Sequence, residues 1–211
     1  MATISDYYRD LQTDLHRNPH YGVASLEYAP LVAKVFSGVG AESVADYGAG
    51  KCNLRKGLEA LGLKGFDYFP YDPVFPEYGA PREADLVCCI DVLEHIEEDY
   101  IDSVIADLVR ITTNYGFFTI ATGPAEKILA DGRNAHLTQK PTSWWLPKFL
   151  RAFNIEQLQN DRQGFWFIVT PISGPRKGGV TLPTISLDPK PDARRKRSLA
   201  DRVKSILGGS P

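Results

Sequence analysis

Val44-Ala45-Asp46-Tyr47-Gly48-Ala49-Gly50-Lys51-Cys52-Asn53 decides how this 211-residue chain is read. A short apolar strand, Glu42 to Tyr47, runs into a Gly-x-Gly turn. Leu54 to Leu61 then has helical spacing, with Gly62 as its C-terminal stop. A strand that passes through glycines into the mouth of a helix is a ligand-binding turn. Without Cβ atoms the backbone lies close to a ligand, and the helix N-terminus offers free N–H donors. The third glycine of a dinucleotide fingerprint falls at Asn53, so G-x-G-x-x-G is not satisfied. No G-x-x-x-x-G-K-[ST] occurs, which excludes a Walker loop. Asp46 at the strand end would repel a pyrophosphate. It suits a ligand carrying an ammonium group and a sulfonium.

Working outward, Gly65 to Tyr71 reads as a second strand, closed by Asp72 and turned by Pro73. In open α/β sheets an acid at this place, about 20 residues past the glycine turn, accepts hydrogen bonds from ribose hydroxyls. Asp85 to Ile90 is a continuous apolar run, as a strand buried on both faces should be. It leads into Asp91-Val92-Leu93-Glu94-His95-Ile96, which puts Asp91, Glu94 and His95 at the carboxyl end of a strand, where such sheets bind ligands. Asp6 to Leu15 and Ser25 to Phe36 have helical spacing. So does Ile101 to Ile111, with Ile101, Val104, Ile105, Leu108 and Val109 on one stripe. Gly116 to Thr122 is a further strand, Trp144 to Phe153 a helix and Phe165 to Thr170 a last strand. This alternation predicts a doubly wound, Rossmann-like α/β sheet with helices on both faces.

Composition sets the frame. Hydrophobic residues make up 43%, charged residues 24%, and the mean hydropathy is −0.23, which is the profile of a globular domain. Three cysteines exclude a disulfide scaffold, and no run approaches the roughly 18 apolar residues of a membrane span. The opening Met1-Ala2-Thr3-Ile4-Ser5-Asp6 lacks a basic patch followed by an apolar stretch, which predicts no signal peptide and a cytoplasmic protein. The net charge of −2 hides an asymmetry: residues 172–211 hold nine Lys/Arg, three Asp, five Pro, five Gly and no aromatic. Such a segment buries too little apolar surface to offset its ordering entropy. We therefore expect a folded domain over 1–171, its first 40 residues a helical cap, and a basic tail over 172–211.

Taken together, Asp46-Tyr47-Gly48-Ala49-Gly50, Tyr71-Asp72-Pro73 and Asp85-Leu86-Val87 with Asp91-Val92-Leu93-Glu94-His95-Ile96 resemble the class I S-adenosylmethionine-dependent methyltransferases in order and spacing. The resemblance covers roughly residues 43–125. Two further stretches, His16 to Ser25 and Asp131 to Leu137, look like a bacterial and bacteriophage subgroup of unassigned substrate. The family often has another Gly where Cys52 stands. The resemblance implies a seven-stranded, mainly parallel sheet with one antiparallel strand, Phe165 to Thr170 belonging to its final hairpin. It implies S-adenosylmethionine as cofactor, with Asp46 facing the methionine amino end and Tyr47, Gly48, Ala49 and Gly50 passing under the cofactor. Asp72 and Pro73 would stand at the ribose, with Ile90 and Asp91 flanking the methionine and adenosine.

Methyl transfer is an in-line displacement, so the protein's chief task is to hold the acceptor in place. A base is needed only when the acceptor must lose a proton, and His95 is the candidate. Tyr21, His136 and Trp144 are candidates for the substrate side, although packing roles explain each of them as well. Three Cys show no C-x-x-C spacing, and Pro19 interrupts the one H-x-x-x-H pair, His16 and His20, so no metal site is expected. Cys88 and Cys89 point to opposite faces of a strand and read as small core residues. Two other function classes remain. Arg194-Arg195-Lys196-Arg197, with Arg202 and Lys204, could bind nucleic acid or another anionic surface. Alternatively, the chain could keep a cofactor pocket without catalysis. The acceptor is not readable from the sequence.

Overall fold

A computed structural model describes residues 2–18, 21–161 and 163–175. The basic run around Arg194 and nearly all of the expected tail lie outside the described residues. In chain order the elements are α1 (Asp6–His16), α2 (Ala24–Gly38), β1 (Ser43–Tyr47), α3 (Asn53–Ala60), β2 (Asp67–Tyr71), β3 (Ala84–Cys89), α4 (Ile101–Ile111), β4 (Thr112–Ala121), α5 (Thr142–Phe149), β5 (Phe153–Asn160) and β6 (Gly164–Pro171). The sheet order is β2-β1-β3-β4-β6-β5. β1, β2, β3 and β4 are mutually parallel, and β6 runs antiparallel to both β4 and β5.

Among the described residues six strands form where seven were expected. A further strand beside β2 would have to come from the connection that follows it. Only residues 72–83 separate β2 from β3, and they hold one 3-10 turn, Pro76–Tyr78. A single parallel crossover takes a dozen or more residues. A segment of this length therefore cannot carry an extra strand with a crossover on each side, and among the described residues β2 is an edge. Pro70 sits in that edge. Asp67 N donates to Glu42 O, and Tyr71 O accepts from Gly48 N. The odd-numbered residues of β2 thus bond toward β1, and Pro70 lies in the alternate set, which faces outward.

The two faces of the sheet bury separate cores. α2 and α3 cover one with Leu31, Val32, Val35, Leu54 and Leu58 against Leu86, Cys88, Phe117, Trp166 and Ile168. α4 and α5 cover the other with Ile101, Val104, Leu108, Trp145 and Phe149 against Ala45, Val87, Cys89, Phe118 and Phe167. Cys88 and Cys89 accordingly face opposite layers. β3 is buried along its whole length, as its unbroken apolar run requires.

The expected helical cap divides in two. α2 belongs to a helix layer, whereas α1 sits on a small third cluster of Tyr8, Leu129 and Ala135. Ser5 caps α1, its Oγ accepting from Tyr8 N at 3.2 Å. The Ser5 N and Oγ each donate to Glu97 at 2.8 Å, which pins the helix start to the loop before α4. The helix expected over Trp144 to Phe153 ends at Phe149, and Phe153 opens β5 instead.

Candidate functional site

A cleft opens at the carboxyl ends of β1, β2 and β3, enclosing about 890 Å³ with its solvent-open mouth included. Its floor is the glycine turn. Gly48 and Gly50 adopt φ of +81° and +49°, in the left-handed region that glycine enters without strain. Gly48 N and Ala49 N both donate to Tyr71 O, at 2.7 and 2.9 Å, tying the turn to the end of β2. A Cβ on Gly48 would stand 2.3 Å from Val92 Cγ2, so its lack of a side chain serves packing against the next loop. Cys52, with φ +54°, takes a left-handed conformation where the resembling family often has glycine.

Two acids stand over this turn. Asp46 is 3% exposed and accepts a hydrogen bond from the Tyr68 hydroxyl. Burial pushes its carboxyl up to about 7, against the opposing effect of that bond. Asp72 accepts from Gly50 N and from Val74 N, both at 2.9 Å, so it shapes the loop as well as facing the cleft. Burial raises its pKa too, and those two bonds oppose the shift. Each carboxylate oxygen keeps a second lone pair for a ligand.

Tyr21, Asp46, Tyr47, Gly48, Ala49, Gly50, Asp72, Pro73, Ile90, Asp91 and His95 all line the cleft. His136 does not line the cleft; it packs behind His95, the two rings meeting edge-on with centroids 4.7 Å apart. Trp144 does not line the cleft. It stands on α5, with Lys140 and Lys148 Nζ 5.4 and 4.7 Å from its ring centroid, while its neighbour Trp145 is fully buried. A face of α1 also lines the cleft, a contribution that the sequence reading missed. Tyr8, Gln12 and His16, spaced i, i+4, i+8, share that face. Gln12 Nε2 donates to the Tyr8 hydroxyl, and the Tyr21 hydroxyl donates to Gln12 Oε1 at 3.1 Å. This polar stripe along an otherwise amphipathic helix was the available signal. His16 Nδ1 is buried without a hydrogen-bond partner, and burial lowers its pKa despite the nearby Asp72.

At the far wall, Asp91 takes φ +58°, unusual for a residue with a side chain, and its N–H donates to Thr119 Oγ1 at 2.9 Å. His95 Nδ1 lies 2.8 Å from Ala135 O, and His136 Nδ1 lies 2.7 Å from Gly123 O. A carbonyl only accepts, so Nδ1 carries the proton in both rings and Nε2 is left with its lone pair. Burial lowers the pKa of His95, against the attraction of Asp91. Asn134 fixes the His136 loop: its Oδ1 accepts from Ala125 N and His136 N, and its Nδ2 donates to Ala125 O, all at 2.9 Å. Glu94 is buried, with Oε1 accepting from Ala121 N at 2.7 Å, and burial beside Asp91 raises its pKa. Asp91, His95 and His136 bring one ligand-type atom each within 4.8 Å of the others, a convergence that spacing rules did not anticipate.

No protein-family model matches the chain, and no curated protein matches it in sequence. Its fold does match solved structures. The PH0226 protein from Pyrococcus horikoshii OT3 aligns at TM-score 0.54 and 12% identity, over 80% of this chain and 99% of that one. The mitomycin 7-O-methyltransferase MmcR aligns at 0.52 and 14%, over 70% of this chain and 54% of that one. Burkholderia thailandensis 1,6-didemethyltoxoflavin-N1-methyltransferase, solved with 1,6-didemethyltoxoflavin and S-adenosylhomocysteine, aligns at 0.52 and 16%, over 81% and 92%. At these identities the likeness is one of fold: the chain has the Rossmann-like α/β fold of these methyltransferases, with its cleft at the carboxyl ends of the parallel strands.

Proposed function

We propose that the chain is an S-adenosylmethionine-dependent methyltransferase. The observation that carries this reading is the pairing of two buried acids, Asp46 and Asp72, around one glycine turn at the mouth of the cleft. A desolvated carboxylate facing a cleft is the partner an ammonium group requires. Asp72, bonded on one side to backbone N–H groups, keeps lone pairs for vicinal hydroxyls. The residues present therefore fit a ligand that joins an amino acid end to a nucleoside. The shared fold with solved methyltransferases supports the same reading.

When bound, the cofactor supplies an electrophilic methyl group on a sulfonium. The protein binds and orients. Asp46 holds the amino end, Gly48 to Gly50 form the floor, Asp72 holds the ribose, and Ile90 and Asp91 flank the middle. Tyr21 and the α1 stripe of Tyr8, Gln12 and His16 form a wall of the cleft on the side of α1. His95 presents Nε2 to the cleft and is the group we assign to take a proton from an acceptor that must lose one. His136 backs His95 on the acceptor side.

Calorimetry with S-adenosylmethionine and S-adenosylhomocysteine tests the binding half, with one equivalent of each expected. Transfer of a tritiated methyl group into a fractionated extract of the source cell tests the catalytic half and reads the class of the acceptor. Failure to bind either nucleoside overturns the proposal. Binding with no labelled product in any fraction leaves a catalytically silent binding protein and overturns the enzymatic part.

A further inference from the structure

We infer that Asp91, His95 and His136 form a binding site for a divalent first-row transition-metal ion. One carboxylate and two imidazoles bring ligand-type atoms within 4.8 Å of one another. Bonds of about 2.0–2.1 Å to nitrogen and oxygen put ligands roughly 3.3 Å apart in a tetrahedral site, so modest side-chain rotation closes the set on an ion. Proximity alone would be weak ground, because polar residues gather in many clefts. The ring partners supply a second and independent ground. His95 Nδ1 gives its proton to Ala135 O at 2.8 Å, and His136 Nδ1 gives its proton to Gly123 O at 2.7 Å. Metal-ligating imidazoles carry this outer bond almost always, because it fixes the tautomer and the ring plane. Both rings are thereby held with Nε2 as the coordinating nitrogen.

The surrounding chain is built to hold that geometry. Residues 122–139 carry no helix and only an isolated bridge between Ile128 and Asn134. Even so, Asn134 bonds Ala125 twice and His136 once, and Thr138 is tied to the Asp91–Ile96 turn through Glu94 O at 2.9 Å and Ile96 O at 2.7 Å. The two histidines, 41 positions apart, are thus fixed to one another by hydrogen bonds at both ends. The strained φ of +58° at Asp91 sits in the same constellation. Two imidazoles and one carboxylate suit zinc, manganese or iron(II). Three protein ligands leave positions open for a non-protein ligand, as in catalytic rather than structural sites. The ion and a proton compete for the same lone pair on His95, so the proton-accepting role assigned to His95 belongs to the ion-free protein.

The site does not depend on the methyl-transfer reading, and its test needs neither donor nor product. Full-length protein is dialysed against chelator, then titrated by calorimetry with zinc chloride and separately with manganese chloride. One saturable equivalent of one of these ions is expected. His136→Gln and Asp91→Asn should each weaken it by more than roughly tenfold, with the thermal midpoint recording whether each variant is folded. Should a variant fail to fold, cobalt(II) titration of the unaltered chain gives the same answer: nitrogen and oxygen coordination yields visible bands without a thiolate charge-transfer band. The inference is overturned by the absence of any saturable equivalent, by folded variants that bind as the parent does, or by a thiolate band that puts the ion on cysteine. A chain that binds S-adenosylhomocysteine but no ion overturns this inference alone. A chain that binds the ion but not the nucleoside overturns only the methyl-donor assignment.

Discussion

Asp46 shows how one buried side chain joins folding to ligand binding. Its pKa in the fold stands at about 7, above the ordinary aspartate range. The folded state therefore holds a proton that the unfolded chain has already lost, and this group makes the fold less stable as pH rises from the ordinary carboxylate range toward 7. An ammonium ligand reverses the preference and favours the ionised form. Binding of S-adenosylhomocysteine at pH 6 to 7 should accordingly release a proton, seen as a calorimetric enthalpy that varies with the ionisation enthalpy of the buffer. Asp46→Asn should remove that variation, and a buffer-independent enthalpy in the parent would refute the assignment. Asp72 is a different case. From sequence it is a ribose acceptor only, and its loss would weaken binding without touching the fold. With Gly50 N and Val74 N both bonded to it, Asp72→Ala strands two backbone donors, at about 1–3 kcal/mol each where they are buried. We expect a lowered thermal midpoint alongside weaker nucleoside binding. An unchanged midpoint would mean that water replaces the carboxylate. Both acids were legible because motif spacing marks them. The Tyr8-Gln12-His16 face of α1 was not, because its meaning depends on a helix that only tertiary packing lays over the cleft.

At the scale of elements, periodicity was a good guide wherever burial is two-sided or striped. β3 and α4 fall within a residue of their sequence limits for that reason. β5 escaped notice. Phe153-Asn154-Ile155-Glu156-Gln157-Leu158-Gln159-Asn160 is polar and irregular, is broken by a bulge between Ile155 and Gln157, and has β6 as its partner on one side only. Its pairing energy comes from β6, which no local pattern reveals. The hairpin that carries it depends on Gly164. A Cβ there would fall 1.9 Å from Ile120 O and 2.8 Å from Ala121 Cα, contacts with backbone that cannot swing aside. Gly164→Ala should push β6 from the end of β4 and cost about 1–3 kcal/mol, read as a shift of the denaturation midpoint at unchanged slope. Full stability in this variant would mean that the two strand ends are further apart than described. The seventh strand was an inference from family resemblance, and the 72–83 connection is too short to supply it.

Across the whole molecule, stability is unevenly spread. Two large cores hold the sheet between its helix layers, whereas α1 rests on Tyr8, Leu129 and Ala135 and on the Ser5–Glu97 bonds. Local release of α1 thus disrupts few buried contacts, and it uncovers the cleft without unfolding the sheet. Amide hydrogen exchange should be faster in α1 than in α4, and S-adenosylhomocysteine should slow it in α1 selectively. Equal rates in the two helices would show that α1 opens only with global unfolding. The open side of β2 has a consequence of another kind. An unpaired strand is a template on which another chain can add its own, the first step toward fibrils. Pro70 offers no donor on that side, and its ring obstructs an incoming backbone. The short connection that cost the sheet a strand therefore leaves behind a border resistant to strand addition, and a crowded solution of this protein is guarded at that border against aggregation.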